Sequence, residues 1–275
     1  ALQRDTVPLS DGAGEVMAIG AHVRRFRVGE RVLASFMQTT PPGALGSPLD
    51  GCLREEAVFA EDGLLHVPEH LSFEEAATLP CAGVTAWNAL MYGPRPFRPG
   101  DTVLTLGTGG VSLFALQIAK LGGARVIITS SSDEKLERAR ALGADDCINY
   151  RAEPDWDKAV ARVTGGAGAD HVLDTGGLGT LARSYRSIGN GGVVSVIGAM
   201  TKPDGDLSPY SLMPKAGLVR GIAVGTHDQL RTLVRAVEVN ALRPVVQKIY
   251  PFHAAMEAFM HAKSGDRFGK VVVRI

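Results

Sequence analysis

The sequence is poor in the features that would commit it to a cross-linked scaffold, a membrane or a polyanion. Aromatic residues make up only 6% of its 275 positions. Its three cysteines, Cys52, Cys81 and Cys147, stand far apart and form no C-x-x-C pair, which argues against a disulfide framework and a zinc ribbon. All three are expected reduced, in a cytoplasmic protein. Lys+Arg and Asp+Glu both number 29, and no basic run marks a nucleic-acid or polybasic membrane surface. No apolar run reaches the roughly 18 residues of a membrane span. The expected partner is a small molecule, with neither nucleic acid nor membrane.

What is there is a length that allows one large domain or two ordinary ones at roughly 100–200 residues each, with 45% hydrophobic residues to build a core. Up to residue 67, short apolar runs at 15–20, 31–36, 53–60 and 63–67 predict strands of a small antiparallel β region, with a turn at 26–30. The stretch 37–50, rich in Pro, Gly and Thr, predicts an exposed loop. Ser72 and Glu75 have capping-box spacing and open a helix; a second helix is expected over 84–90. Pro94, Pro96 and Pro99 then break the chain.

Beyond that break, strand and helix alternate. Strands are predicted at 103–106, 125–129, 147–149, 171–174, 193–197 and 221–224, and helices at 113–121, 133–142, 157–164 and 179–188. A loop covers 198–220 and a helix 228–239. The strands are apolar throughout, as where helices cover both faces of a parallel sheet. The fold class is α/β: a Rossmann-type, doubly wound parallel sheet beside a β domain. A strand at 245–250, a helix at 254–261 and a last strand at 268–275 return to the first region. The expected domains are 1–92, 93–243 and 244–275.

Residues 102–120 read as strand, glycine turn and helix. Gly107 and Gly109 fill the first two places of G-x-G-x-x-G, and Ser112 stands in the third. Such a turn lets an anion approach the backbone at the positive end of the helix dipole. Its place after the first strand of the alternating series makes it a dinucleotide signal. An NAD site puts a carboxylate about 20 residues further on; here that strand ends in Ser130, Ser131 and Ser132. Hydroxyls can donate to a 2′-phosphate and Lys135 can supply charge, which favours NADP over NAD. The alternative is that Ser132 only caps a helix and Lys135 is solvated.

Several segments together resemble the medium-chain dehydrogenase/reductase superfamily, in its zinc-free, quinone-oxidoreductase-like part. They are 7–16 (VPLSDGAGEV), 26–32 (FRVGERV), 76–86 (AATLPCAGVTA), 107–111 (GTGGV), 142–145 (LGAD) and 268–272 (FGKVV). The resemblance implies a GroES-like β domain flanking a Rossmann domain, NADPH bound in the cleft between them, and a homodimer or homotetramer. It assigns the pyrophosphate to Gly107, Thr108, Gly109, Gly110 and Val111. Ser130, Ser131 and Lys135 would meet the adenosine phosphate, with Tyr150 flanking the adenosine. Thr85, Ile197, Gly198, Gly225 and Thr226 would lie along the nicotinamide half, approached by Phe268, Gly269 and Lys270.

Three departures qualify it. Ser10 stands where zinc-dependent relatives carry a His, and a hydroxyl is a poor zinc ligand. Cys81 occupies another ligand position, and the four-cysteine structural-zinc lobe is absent, so no zinc is expected. Relatives also carry further strands ahead of the 7–16 segment, and a fragment or a trimmed domain is expected here. The function read from these residues is NADPH-dependent hydride transfer to or from a carbonyl, quinone or activated alkene. Thr85 is the candidate catalytic donor to the developing oxyanion, with Ser10 and Asp11 behind it; His66 and His70 read as surface residues. The alternatives are a zinc alcohol dehydrogenase with ligands in the absent segment, and a nucleotide-binding protein without turnover.

Overall fold

The computed structural model describes residues 6–199 and 201–275. They form two compact units: the residues up to Val84 together with Val224–Ile275, and Thr85–Ala223. The cuts fall before and after a shorter central stretch than the 93–243 expected.

The first unit begins with β1 (Ala13–Glu15), β2 (Arg31–Ala34), β3 (Met37–Thr39), β4 (Pro42–Ala44), β5 (Leu64–His66) and α1 (Phe73–Ala76). β2 lies between β1 and β5, antiparallel to both. That central place explains why Val32, Leu33 and Ala34 are all buried. The strand expected over 15–20 stops at Glu15. Val16 N–H then donates to Glu30 O at 3.0 Å, closing the turn in which Gly29 adopts a φ of +89°. Ser72 forms the predicted capping box on α1, its hydroxyl accepting from Glu75 N–H and the Glu75 carboxylate from Ser72 N–H.

Two expectations for this region are corrected. Residues 37–50 are not simply an exposed loop: β3 and β4 pair as a hairpin. The Gln38 amide donates to Ser35 O at 2.7 Å and Gly63 O at 3.3 Å, so a polar side chain sits inside at little cost. Residues 53–60 form no strand, and Val58 is 96% exposed. A short apolar run makes a strand only where a neighbouring backbone completes the ladder.

The second unit runs α2 (Val84–Met91), β6 (Thr102–Thr105), α3 (Gly110–Leu121), β7 (Arg125–Ser130), α4 (Asp133–Ala141), β8 (Asp146–Asn149), α5 (Trp156–Val163), β9 (Ala169–Asp174), α6 (Leu178–Ser187), β10 (Ile188–Val196) and β11 (Leu218–Gly221). Its sheet has the order β11-β10-β9-β6-β7-β8, and every pairing is parallel. This is the doubly wound Rossmann order. Leu104, Ile127, Val172 and Val194 are fully buried in it, packed with Trp156, Leu181 and Tyr185 of the covering helices. Each such aliphatic side chain contributes about 1.5–3 kcal/mol on leaving water. The strand predicted at 221–224 lies three residues earlier, because Leu218–Gly221 hydrogen-bond along Val193–Val196. The predicted loop before it contains a short 3₁₀ helix, Pro209–Lys215.

The chain then completes the first unit with α7 (His227–Val239), β12 (Val246–Pro251), α8 (Ala255–Lys263) and β13 (Lys270–Arg274). β12 and β13 pair parallel to each other, apart from the antiparallel sheet. α7 belongs with this unit because His227 Nδ1 meets Ser35 Oγ at 2.8 Å and the chain just beyond it is held by His70 Nε2 on Leu242 O.

A half-buried ionic group ties the second unit together at the N-terminal ends of β6 and β9. Arg95 spans Asp101 (3.0 Å) and Asp170 (2.7 Å), and also donates to Nε2 of His171 at 3.0 Å. His171 is 2% exposed, and its buried Nδ1 finds no partner among the described residues. Burial first, and the Arg95 charge second, hold the His171 pKa below its ordinary value. The unfolded chain therefore takes up this proton more readily, so stability is full above about pH 6.5 and is lost as pH falls below it. His227 is depressed in the same direction, chiefly by burial. The urea midpoint is expected to drop between about pH 7.5 and 5.5, less steeply in His171→Gln than in the parent. An unchanged slope in the variant would contradict this account of His171.

Candidate functional site

β6 ends in the glycine turn. Gly107 has a φ of +76° and Gly109 caps α3 with extended backbone and no side-chain bond. The first intrahelical bond runs from Leu113 N–H to Gly109 O at 3.0 Å. The N–H groups of Gly110, Val111 and Ser112 therefore lie ahead of any helical partner. A Cβ placed on Gly107 or Gly109 would meet nothing within 4 Å. Open space at the positive end of a twelve-residue helix suits a pyrophosphate.

One member of the expected set is used differently. Gly107 N–H donates to Thr129 Oγ1 at 3.1 Å, so it is already paired within the fold. The carbonyl of the same peptide, Leu106 O, accepts from Ser112 Oγ at 2.6 Å and Thr175 Oγ1 at 2.7 Å. Thr129, Thr175 and the neighbouring Asp174 are absent from the residues singled out in the sequence. Asp174 is completely buried. Its carboxylate accepts from Gly176 N–H (3.0 Å), Gly177 N–H (2.8 Å), Thr180 Oγ1 (2.6 Å) and Ser184 Oγ (2.6 Å). A carboxylate closing the apolar run His171-Val172-Leu173, just before Gly176-Gly177, was the available signal.

At the end of β7, Ser130 is 3% exposed and its oxygen accepts from Ser132 N–H at 3.3 Å. The hydroxyl proton remains available to donate. Ser132 caps α4 by accepting from Lys135 N–H, and Ser131 is half-buried beside it. Tyr150 is exposed on the next strand end, its N–H bonded to Ser130 O at 3.0 Å. On the other side of β6, Ile197 and Gly198 N–H both donate to Asp174 O. A Cβ on Gly198 would lie 1.8 Å from Thr175 O, so only glycine fits. Thr85, in α2, is buried at 3% exposure.

The remaining candidates lie in the first unit. Thr226 caps α7, its hydroxyl accepting from Gln229 N–H at 3.2 Å, directly after Gly225. Phe268 is buried with its N–H on Gln247 Oε1 at 2.7 Å. After Gly269, Lys270 N–H donates to Val245 O, while its ammonium meets Asp11 Oδ2 at 3.1 Å. Burial disfavours that ammonium, but the Asp11 carboxylate carries its pKa above the usual lysine value. Ser10 donates to the other Asp11 oxygen at 3.1 Å and also hydrogen-bonds Cys81. Burial, then the Asp11 charge, push the Cys81 thiol up to about 11, and Cys52 likewise. These side chains line one open groove. His66 is exposed and pairs with Glu30 at 3.0 Å.

A parallel sheet with an open glycine turn at its central strand defines a nucleotide-binding α/β protein. Residues 110–238 match the zinc-binding dehydrogenase family, and residues 2–69 the alcohol dehydrogenase GroES-like domain. A zinc-type alcohol dehydrogenase-like protein of Schizosaccharomyces pombe is 42% identical over all of this chain and 83% of its own length. A quinone oxidoreductase of Sus scrofa is 29% identical over 97% and 79%. The crystal structure of an NAD-dependent alcohol dehydrogenase superposes with a TM-score of 0.91 at 36% identity, covering 100% and 84%. The chain belongs to the medium-chain dehydrogenase/reductase superfamily. It is an NAD(P)-dependent oxidoreductase, and members of this family bind nicotinamide cofactors.

Gly109→Ala separates ligand approach from folding, because φ −77° suits alanine and no atom stands in its way. The melting temperature should move little, while dinucleotide affinity falls on the order of tenfold, about 1.4 kcal/mol. Unchanged affinity by fluorescence titration would remove Gly109 from the site.

Proposed function

We propose that the protein uses NADPH to move a hydride to or from a carbonyl, quinone or activated alkene, without zinc. The observation that carries the reading is the pairing of the uncapped α3 N-terminus with a serine, Ser130, where an NAD site has its carboxylate. The N–H groups of Gly110 and Val111, with the open backbone at Gly109, would hold the pyrophosphate. Thr108 joins them through its place in the turn. Ser130 would donate its hydroxyl proton to the 2′-phosphate, Ser131 lies beside it, and Lys135 would add charge. Tyr150 would flank the adenosine, while Ile197, Gly198, Gly225 and Thr226 would serve the nicotinamide half. Bound NADPH supplies the hydride.

The chain's own task is to align the reactants and stabilise charge developing on the acceptor oxygen. Thr85 is the proposed donor to that oxygen. Lys270 would approach the nicotinamide half with Phe268 and Gly269, its ammonium paired with Asp11. The zinc named in the matching family fits these residues poorly. Ser10 offers a hydroxyl where zinc prefers imidazole or thiolate, and the Asp11 carboxylate is already engaged by an ammonium. A zinc thiolate site needs deprotonated, converging ligands.

Two measurements test the reading. Ser130→Asp should shift preference from NADPH toward NADH, since a carboxylate repels the 2′-phosphate; an unaltered ratio of kcat/KM would refute the assignment. Metal analysis of the purified protein should find zinc far below one equivalent, with turnover unaffected by a chelator. Stoichiometric zinc would favour the alcohol dehydrogenase alternative.

A further inference from the structure

The third place of the glycine motif is the least expected feature of the turn. A glycine there lets helix and strand pack closely, yet Ser112 is 1% exposed and engaged. Its hydroxyl donates to Leu106 O at 2.6 Å, where Thr175 Oγ1 also donates at 2.7 Å. The N–H of that same peptide, on Gly107, donates to Thr129 Oγ1 at 3.1 Å. Every polar atom of the Leu106–Gly107 peptide is thus held by a side chain, and the three side chains come from α3, the end of β9 and β7. This peptide is where the chain leaves the strand for the left-handed Gly107. Its plane sets the direction taken by the backbone into the α3 N-terminus.

We propose that Ser112 and Thr175 are positioning residues for dinucleotide binding, acting through the Leu106–Gly107 peptide to pre-set the turn that receives the pyrophosphate. This rests on the reading of that turn as the pyrophosphate site. Ser112 is then a working replacement for glycine. Restoring glycine should weaken binding, although it restores the common motif. Immediately before Thr175, the Asp174 carboxylate is satisfied four times over within 174–184.

The test compares Ser112→Gly, Thr175→Val and the conservative Thr175→Ser against three probes. NADPH and ADP-ribose carry the pyrophosphate, and 2′-AMP does not. Ser112→Gly and Thr175→Val should each weaken NADPH and ADP-ribose by about three- to tenfold, the size expected for one lost hydrogen bond. Affinity for 2′-AMP should stay within about twofold, Thr175→Ser should bind as the parent does, and KM for NADPH should rise by more than kcat falls. General loosening of the unit would weaken 2′-AMP equally and would overturn the proposal. So would Ser112→Gly binding ADP-ribose as tightly as the parent. A parent protein that binds ADP-ribose and NADH but not 2′-AMP would refute the NADPH reading alone, and ADP-ribose would still decide the role of Ser112. A parent that binds neither ADP-ribose nor NADPH would refute both.

Discussion

The peptide between Leu106 and Gly107 is the constraint on which the nucleotide end of the molecule depends. A backbone turn can offer free N–H groups to a ligand only if its other polar atoms are satisfied without them. Here three hydroxyls do this: Ser112 and Thr175 on the carbonyl, Thr129 on the N–H. The sheet order makes it possible. β6 lies between β7 and β9, so Thr129 near the end of one neighbour and Thr175 just past the other flank the same peptide. This is the switch point at which a doubly wound sheet leaves a crevice beyond its strand ends. The topology and the turn are one device.

Much of this could be read from residue order alone. The apolar strands and amphipathic helices between 102 and 187 carry their periods openly, because burial on both faces leaves little freedom of choice. The capping box at Ser72 and Glu75 was legible because it is local. What escaped notice depends on partners distant in sequence. Residues 53–60 hold an apolar run that finds no ladder, and Gln38 is polar yet buried because two carbonyls converge on it. The strand at 218–221 was displaced by three residues, since its start is set by pairing with Val193.

The site shows the same division. Gly107, Gly109 and Ser130 announce themselves by spacing. Thr129 and Thr175 do not, because their value lies in hydrogen bonds spanning 22 and 69 residues of sequence. Lys270 likewise has a partner that spacing does not show: its ammonium ends against Asp11, 259 residues away. There an ammonium, the carboxylate it pairs with, a hydroxyl and two thiols share a groove. The ammonium and the carboxylate neutralise each other, and no histidine among the described lining residues joins them to make a zinc donor set. The family's name for its metal-dependent members thus sits beside a donor set of different chemistry.

The central claim is that the N-terminus of α3 receives a dinucleotide while the Leu106–Gly107 peptide stays locked. A crystal structure of the full chain with NADPH tests it most directly. The account predicts pyrophosphate oxygens within hydrogen-bond distance of the Gly110 and Val111 N–H groups, the 2′-phosphate at Ser130, and Gly107 N–H still on Thr129. A pyrophosphate bound away from this turn, or a Gly107 N–H released from Thr129 to meet it, would contradict it.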